Sequence, residues 1–260
     1  RWALSLADYR SFRDAWSRSY LEALGFDASR DRVYPDLAFS LPPAANAPPF
    51  GLRPSPAKPA AANAAPCAAR RVVGVGLMDY YGTHVSSRVG EDAYRAYVAK
   101  MTRFVSWLLE RGYDVRLLIG DLCYDTRSKD DVLRGLSRCG APIAGGRVVT
   151  ARIGSVEELV EEIAGTDLVV AMRFHTALLA LMLEKPVIAL SYHQKCVSLM
   201  DAVGLPQYAH DIDRGETEQL VEQFTDLETN SEHFAPSISG KLAEYRRALD
   251  EQYTALFALA

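Results

Sequence analysis

The sequence predicts an α/β fold from residue 70 to residue 260: a doubly wound parallel sheet with helices on both faces. Three observations predict it. Short apolar runs and amphipathic stripes alternate five times along that stretch. Runs such as Leu168-Val169-Val170-Ala171-Met172 and Pro186-Val187-Ile188-Ala189-Leu190 are apolar at every position, as a strand covered on both faces requires. The composition, 49% hydrophobic and 24% charged over 260 residues, is that of a globular chain with a sizeable core.

The elements follow in order. Arg71-Val72-Val73-Gly74-Val75-Gly76-Leu77 is predicted as a buried strand. Residues 91–111 carry Tyr94, Tyr97, Val98, Met101, Phe104, Val105, Leu108 and Leu109 at helical spacing, and Gly112 ends the helix. Residues 113–119 form a second strand, 130–138 a short helix and 147–151 a third strand. Ser155 with Glu158 is a capping box that opens a helix over 156–164. The fourth strand, 168–172, runs straight into a helix over 176–184. Pro186 starts a fifth strand over 187–191, and helices follow at 195–203, 217–227 and from 239 to the end. In such a sheet ligands bind beyond the carboxyl ends of the strands. Chemistry is therefore expected at 78–82, 120–121, 152, 173–175 and 191–195.

Ahead of this region lies a break. Residues 41–70 hold 11 Ala and 8 Pro. Proline removes backbone donors and alanine offers little surface to bury, so 42–69 reads as a linker. Residues 1–41 predict less than a domain: a strand at 9–12, a helix over 15–24 closed by Gly25, and a strand at 32–34 stopped by Pro35. Lys+Arg 29 against Asp+Glu 33 gives a net charge of −4, which argues against a nucleic-acid coat or a polybasic membrane anchor. The apolar stretch 176–183 is too short to span a bilayer. Charges run through the first 20 residues where a secretory signal would be apolar. Cys67, Cys123, Cys139 and Cys196 form no CxxC pair. No structural metal is expected, and reduced thiols in the cytoplasm are the default.

Met172-Arg173-Phe174-His175-Thr176 is the sharpest constellation. A buried strand ends, Arg173 and His175 follow two residues apart, and a helix starts at once. The free N–H groups of a helix start suit an anion, and a guanidinium matches carboxylate or phosphate. His175 is placed to transfer a proton. The alternative is a capping histidine and an arginine paired with a structural acid. After the fifth strand, Tyr192 and Lys195 reach the same anion or form a solvated loop. After the first strand comes a loop with Asp79 as a substrate-binding candidate, where Tyr80 and Tyr81 either stack on a sugar ring or are ordinary loop tyrosines. Gly74 and Gly76 lie inside the strand and lack the third glycine of a dinucleotide turn, so they read as close-packing positions. Asp121 and Asp125 either position a substrate hydroxyl or cap the next helix.

The run from Asp167 through Arg173, His175 and Thr176 to Leu181, continuing through Lys185-Pro186-Val187-Ile188-Ala189-Leu190-Ser191-Tyr192 to Lys195, resembles the polysaccharide pyruvyl transferase family. The front motifs Phe12-Arg13-Asp14-Ala15-Trp16-Ser17 and Tyr34-Pro35-Asp36-Leu37-Ala38-Phe39 are similar to the end of that family's N-terminal domain. The resemblance implies two facing Rossmann-like domains, as in many glycosyltransferases. Residues 1–41 would be the C-terminal remnant of the first, 42–69 the linker and 70–260 the donor-binding domain. It implies transfer of a pyruvyl group from phosphoenolpyruvate to a sugar of a bacterial polysaccharide or glycan precursor, with no cofactor and a pyruvate ketal as product. The implied acceptor is a glycan or lipid-linked sugar, through which the protein would touch the inner membrane peripherally from the cytoplasm. Arg173 and His175 match the family's donor-binding Arg-x-His. The arginine expected after the first strand is replaced by Met78-Asp79, which leaves Arg88 or Arg152 to supply that cation. The rival from the same architecture is a nucleotide-sugar glycosyltransferase. It needs an acid near the helix start, whereas Glu184 is about 13 Å along the helix. A donor-binding fragment without turnover is the other alternative.

Overall fold

The computed structural model describes residues 2–41, 70–80, 88–151 and 153–258. The linker expectation, Tyr81 and Arg152 lie outside the described residues, as does the side chain of Arg88. The main body is one sheet of six strands, all parallel: β3 (Val72–Leu77), β4 (Asp114–Ile119), β5 (Val148–Thr150), β6 (Leu168–Ala171), β7 (Val187–Ser191) and β8 (Ala209–Asp211). Their spatial order is β5-β4-β3-β6-β7-β8. This is the 3-2-1-4-5-6 order of a Rossmann sheet. The predicted doubly wound α/β fold is what forms.

The helices between strands are α3 (Arg88–Glu110), α4 (Asp125–Arg138), α5 (Val156–Ala164), α6 (Phe174–Met182), α7 (Gln194–Ala202), α8 (Thr217–Thr229) and α9 (Ser231–Phe257). α3 packs with α4 and α8, and α6 packs with α5 and α7, so the sheet is covered on both faces. β6 and β7 are buried along their whole length. This explains why their sequences show no alternation. Gly76 eases the close approach of β3 and β6: a Cβ there would lie 3.2 Å from the Ala171 Cα and 3.4 Å from the Thr176 side chain, tighter than ordinary contact. None of the helices is long and apolar enough to cross a membrane, among the described residues.

Several elements depart from expectation. β8 was not anticipated: it is three residues long and carries His210 and Asp211 in place of an apolar run. α4 begins at Asp125, five residues earlier than expected. The Asp121 carboxylate accepts from the Cys123 and Tyr124 N–H groups and starts the turn there. α6 begins at Phe174, so Arg173 itself is the N-cap residue. α9 begins at Ser231 and passes through Pro236, its sixth residue, which has no N–H to donate to the Glu232 carbonyl.

The front piece comprises α1 (Trp2–Ser5), β1 (Ser11–Phe12), α2 (Ala15–Ala23), β2 (Arg32–Val33) and a 3-10 turn over Leu37–Ser40. β1 and β2 pair in parallel across α2, forming a small β–α–β unit. Asp14 caps α2 by accepting from the Ser17 N–H at 2.6 Å. The unit docks on the main body through the 3-10 turn and α9. Phe39 is 2% exposed and packs edge-on against Tyr245 at 5.0 Å. The Gln252 amide donates to the Ser11 hydroxyl at 2.9 Å, and the hydroxyls of Ser40 and Tyr253 lie 3.2 Å apart.

Candidate functional site

The chain leaves β3 toward β4 and β5 on one side, then returns to lay β6 on the other. The crevice at the carboxyl ends of β3 and β6 is thus the switch point of the sheet, where parallel α/β folds bind ligands. Residues 78–80 leave one side of this crevice and Arg173 leaves the other.

Its centre is an ion pair. Arg173 donates to both oxygens of Asp125, from Nε at 2.6 Å and from Nη2 at 2.8 Å. Asp125 is fully buried, and the same two oxygens accept from the backbone N–H of Asp79 at 3.0 Å and of Gly120 at 3.2 Å. One carboxylate therefore joins the ends of β3, β4 and β6. Gly120 permits the approach, since a Cβ there would lie 2.7 Å from the Arg173 Cδ. Asp121 lies 3.6 Å from Nη2 on the other side. The hydrogen bonds to Asp125 hold the Arg173 pKa above its ordinary value, against the opposing effect of desolvation. The structural alternative raised from the sequence, an arginine paired with an acid, is present. Asp125 was the residue undervalued there, because its spacing matched a helix cap. The guanidinium is not used up: its side chain is 31% exposed, and Nη1 makes no hydrogen bond to the described residues.

α6 starts directly after Arg173 with no side chain capping it. Its first N–H groups are left for a ligand or water. Thr176 is buried and packs on the Gly76 backbone position. His175 faces out. Its side chain is 66% exposed, with Nε2 4.0 Å from the Asp36 carboxylate of the front piece. Asp36 also accepts from Arg13 Nη1 at 3.3 Å, and the Arg13 guanidinium lies 4.7 Å over the Phe174 ring. Arg13 and Asp36 were not named as site residues from the sequence. Their signal was the presence of charged residues at the ends of the short front elements.

The start of α7 adds Tyr192 and Lys195. Lys195 Nζ lies 5.2 Å from the Tyr192 ring centre and 5.9 Å from that of Phe174. It makes no ion pair with any described residue. His193 caps α7, its Nδ1 accepting from the Lys195 N–H at 3.2 Å. Tyr80 departs from its expected role. It is 6% exposed, donates to Asp213 at 2.6 Å and sits between the rings of Tyr97 and Tyr192, so its face is not offered to a sugar. Asp79 is likewise turned inward, its side chain 2% exposed and 4.0 Å from Arg127. Glu184 follows the far end of α6, opposite Arg173. The structure thus gathers Arg173, His175, Thr176, Tyr192 and Lys195 at one edge, with Asp121 bracing the group and Asp79 and Tyr80 beneath it.

Comparison with known proteins places the chain in a family. Residues 1–194, three quarters of the chain, match the polysaccharide pyruvyl transferase family. The match spans both the front β–α–β unit and the Arg173–His175 edge. A curated relative is the amylovoran biosynthesis protein AmsJ of Erwinia amylovora, 24% identical over 156 residues. That alignment takes in 59% of this chain and 37% of the relative's length. With the front unit, strands β3 to β7 and the Arg-x-His edge all inside one match over three quarters of its length, the chain belongs to the polysaccharide pyruvyl transferase family.

Proposed function

We propose that the protein transfers a pyruvyl group from phosphoenolpyruvate to two hydroxyls of one sugar in a polysaccharide or its precursor, forming a pyruvate ketal. The observation that carries this reading is the edge where Arg173, Lys195 and the uncapped start of α6 converge beside His175. Phosphoenolpyruvate brings a carboxylate and a phosphate. Backbone N–H groups, a guanidinium and an ammonium are the donors that such groups need. Its chemistry calls for no cofactor.

In the proposed sequence His175, as the imidazolium, gives a proton to the methylene carbon of the donor. The neighbouring carbon then carries developing positive charge, and one sugar hydroxyl adds to it and loses its proton. The second hydroxyl adds to the same carbon as the C–O bond to phosphate breaks, and its proton leaves with the phosphate. Two C–O bonds form, one breaks, and no electrons are gained or lost overall. Arg173 is oriented by Asp125 before the donor arrives, so little ordering remains for the moment of binding. In this reading 70–260 is the donor-binding domain and residues 1–41 close a first Rossmann-like domain, as their parallel β–α–β unit suggests. AmsJ, named for amylovoran biosynthesis, supports an exopolysaccharide as the setting, and the family supports a glycan as the acceptor, which we propose is a polysaccharide unit or a lipid-linked sugar. The proposed compartment is the cytoplasm, with membrane contact only through the acceptor.

The test is release of inorganic phosphate from phosphoenolpyruvate by the full-length protein with a bacterial glycan acceptor, together with a mass gain on the acceptor equal to one pyruvyl ketal. Release of a nucleoside diphosphate from a sugar nucleotide instead would assign the rival chemistry.

A further inference from the structure

Between the front unit and the main body lies a cavity of about 530 Å³. That is within the range of about 300–1,000 Å³ typical of small-ligand sites. Trp16, Phe39 and Phe174 supply much of its apolar wall. Trp16 is 45% exposed, stacked on Tyr20 at 5.5 Å and set edge-on to His193 at 5.9 Å. An exposed indole held from two sides is a fixed surface rather than a mobile one.

The charges of the wall decide what it takes. Four carboxylates line it, Asp14, Asp36, Asp201 and Glu244, against two cations, Arg13 and Lys195. Arg13 is already paired with Asp36 and lies 3.8 Å from Asp14, and Lys241 pairs with Glu244 at 2.9 Å from outside the wall, which leaves Asp201 as the carboxylate with no cation among the described residues. A net negative wall repels a donor that carries a phosphate and a carboxylate. It suits a neutral ligand rich in hydroxyls, because carboxylates accept strong hydrogen bonds from hydroxyl donors and an aromatic ring covers apolar C–H faces. Asp201 is exposed, and its carboxylate takes no hydrogen bond from the described residues. The position fits as well. Phe174 and Lys195 belong both to this wall and to the starts of α6 and α7, and Asp36 in the wall is 4.0 Å from His175 Nε2.

We propose that this cavity seats one pyranose ring of the glycan acceptor, with Trp16 as its aromatic wall and Asp201 as an acceptor for its hydroxyls. The assignment rests on the pyruvyl transfer proposed above for the adjoining edge. It separates the two substrates by charge: the anion at Arg173 and Lys195, the sugar in the carboxylate-lined cavity.

The test is a two-dimensional NMR titration of the 15N-labelled 260-residue chain, in which the indole N–H of Trp16 has those of Trp2 and Trp107 as internal references. Methyl glycosides of glucose, galactose and mannose are each added to about 100 mM, which reaches affinities in the weak millimolar class and beyond. At least one glycoside is expected to move the Trp16 indole saturably while Trp107 stays still. Trp16→Ala and Asp201→Asn are each expected to weaken that glycoside at least fivefold, as judged from the shifts of backbone amides around the cavity. In a separate titration, phosphoenolpyruvate is expected to move the Thr176 and His175 amides and leave the Trp16 indole in place. The inference is overturned if no glycoside moves Trp16, if both variants bind as the parent does, or if phosphoenolpyruvate moves Trp16 and the sugars do not. Glycoside binding without any response to phosphoenolpyruvate would keep the sugar site and remove the donor reading.

Discussion

At the scale of single residues, Asp125 organises the site. Four hydrogen bonds reach its two oxygens, two from Arg173 and two from backbone N–H groups at the ends of β3 and β4. Removing Arg173 would leave a fully buried carboxylate without its cation, whereas removing Asp125 leaves the partly exposed guanidinium beside Asp121 and takes the acceptor from two backbone N–H groups. Asp125→Ala is expected to lower the unfolding free energy by about 1–3 kcal/mol, the usual cost of leaving buried donors without an acceptor. Denaturant unfolding of the variant checks this, and a loss under 1 kcal/mol would show the pair to be ornamental. Arg173→Lys should recover part of the stability and little of the donor affinity, because an ammonium cannot span both carboxylate oxygens and still face a ligand. The sequence made Arg173 and His175 legible through their place between a buried strand and a helix. It hid Asp125, since an acid at the start of a helix is a common cap and only the folded chain brings it within reach of residue 173. Tyr80 was misjudged for the opposite reason. A tyrosine after a strand reads as exposed, and here the rings of Tyr97 and Tyr192 flank it.

At the scale of elements, β8 shows what periodicity cannot find. Three residues give no alternation to read, and His210 looks like a loop residue. In the fold its ring is 3% exposed, with Nδ1 2.8 Å from Gln223 Oε1. Gln223 spends its own N–H₂ on the Gln207 carbonyl, so its oxygen accepts and His210 Nδ1 donates. Nε2 is buried without a hydrogen-bond partner among the described residues. Burial first, and the positive charge of Lys100 after it, hold the His210 pKa below 6.5, with the Gln223 hydrogen bond and Asp211 acting the other way. The unfolded chain therefore binds a proton more readily than the folded one. Stability from this group is present above about pH 6.5 and is lost as pH falls toward the depressed folded value. Thermal unfolding followed from pH 7.5 to 5.5, about one unit to either side of that value, should show a falling midpoint. His210→Gln should flatten the fall; an equal slope in the variant would place the acid sensitivity elsewhere. The other elements were legible because α3 carries a helical stripe through 23 residues, and β6 and β7 lie in unbroken apolar runs, 168–172 and 186–190, bounded by polar residues.

At the scale of the whole molecule, the front unit and the six-stranded body share one set of contacts, from Phe39 and Tyr245 at the 3-10 turn to Asp36 and His175 at the site. That join places a carboxylate of one part beside the candidate acid of the other. Nothing in the local pattern of residues 1–41 reveals it, because the partners are more than 100 positions away. Phe39→Ala removes the most buried side chain of the turn at a cost of about 3–5 kcal/mol. Hydrogen exchange should then rise across β1, α2 and β2 while β3, β6 and β7 keep their protection. Uniform loss would mean that the two parts unfold as one. The division of labour at the site has a more direct check, in the rate of phosphate release from phosphoenolpyruvate with acceptor and in donor affinity measured separately. A fixed cation acts on ground and transition states alike, and a proton donor acts mainly on the second. Arg173→Ala should therefore weaken donor binding, while His175→Ala should bind the donor nearly as the parent does and release phosphate at least about a hundredfold more slowly. Phosphate release at the parent rate in His175→Ala would contradict the assignment of the proton to that histidine.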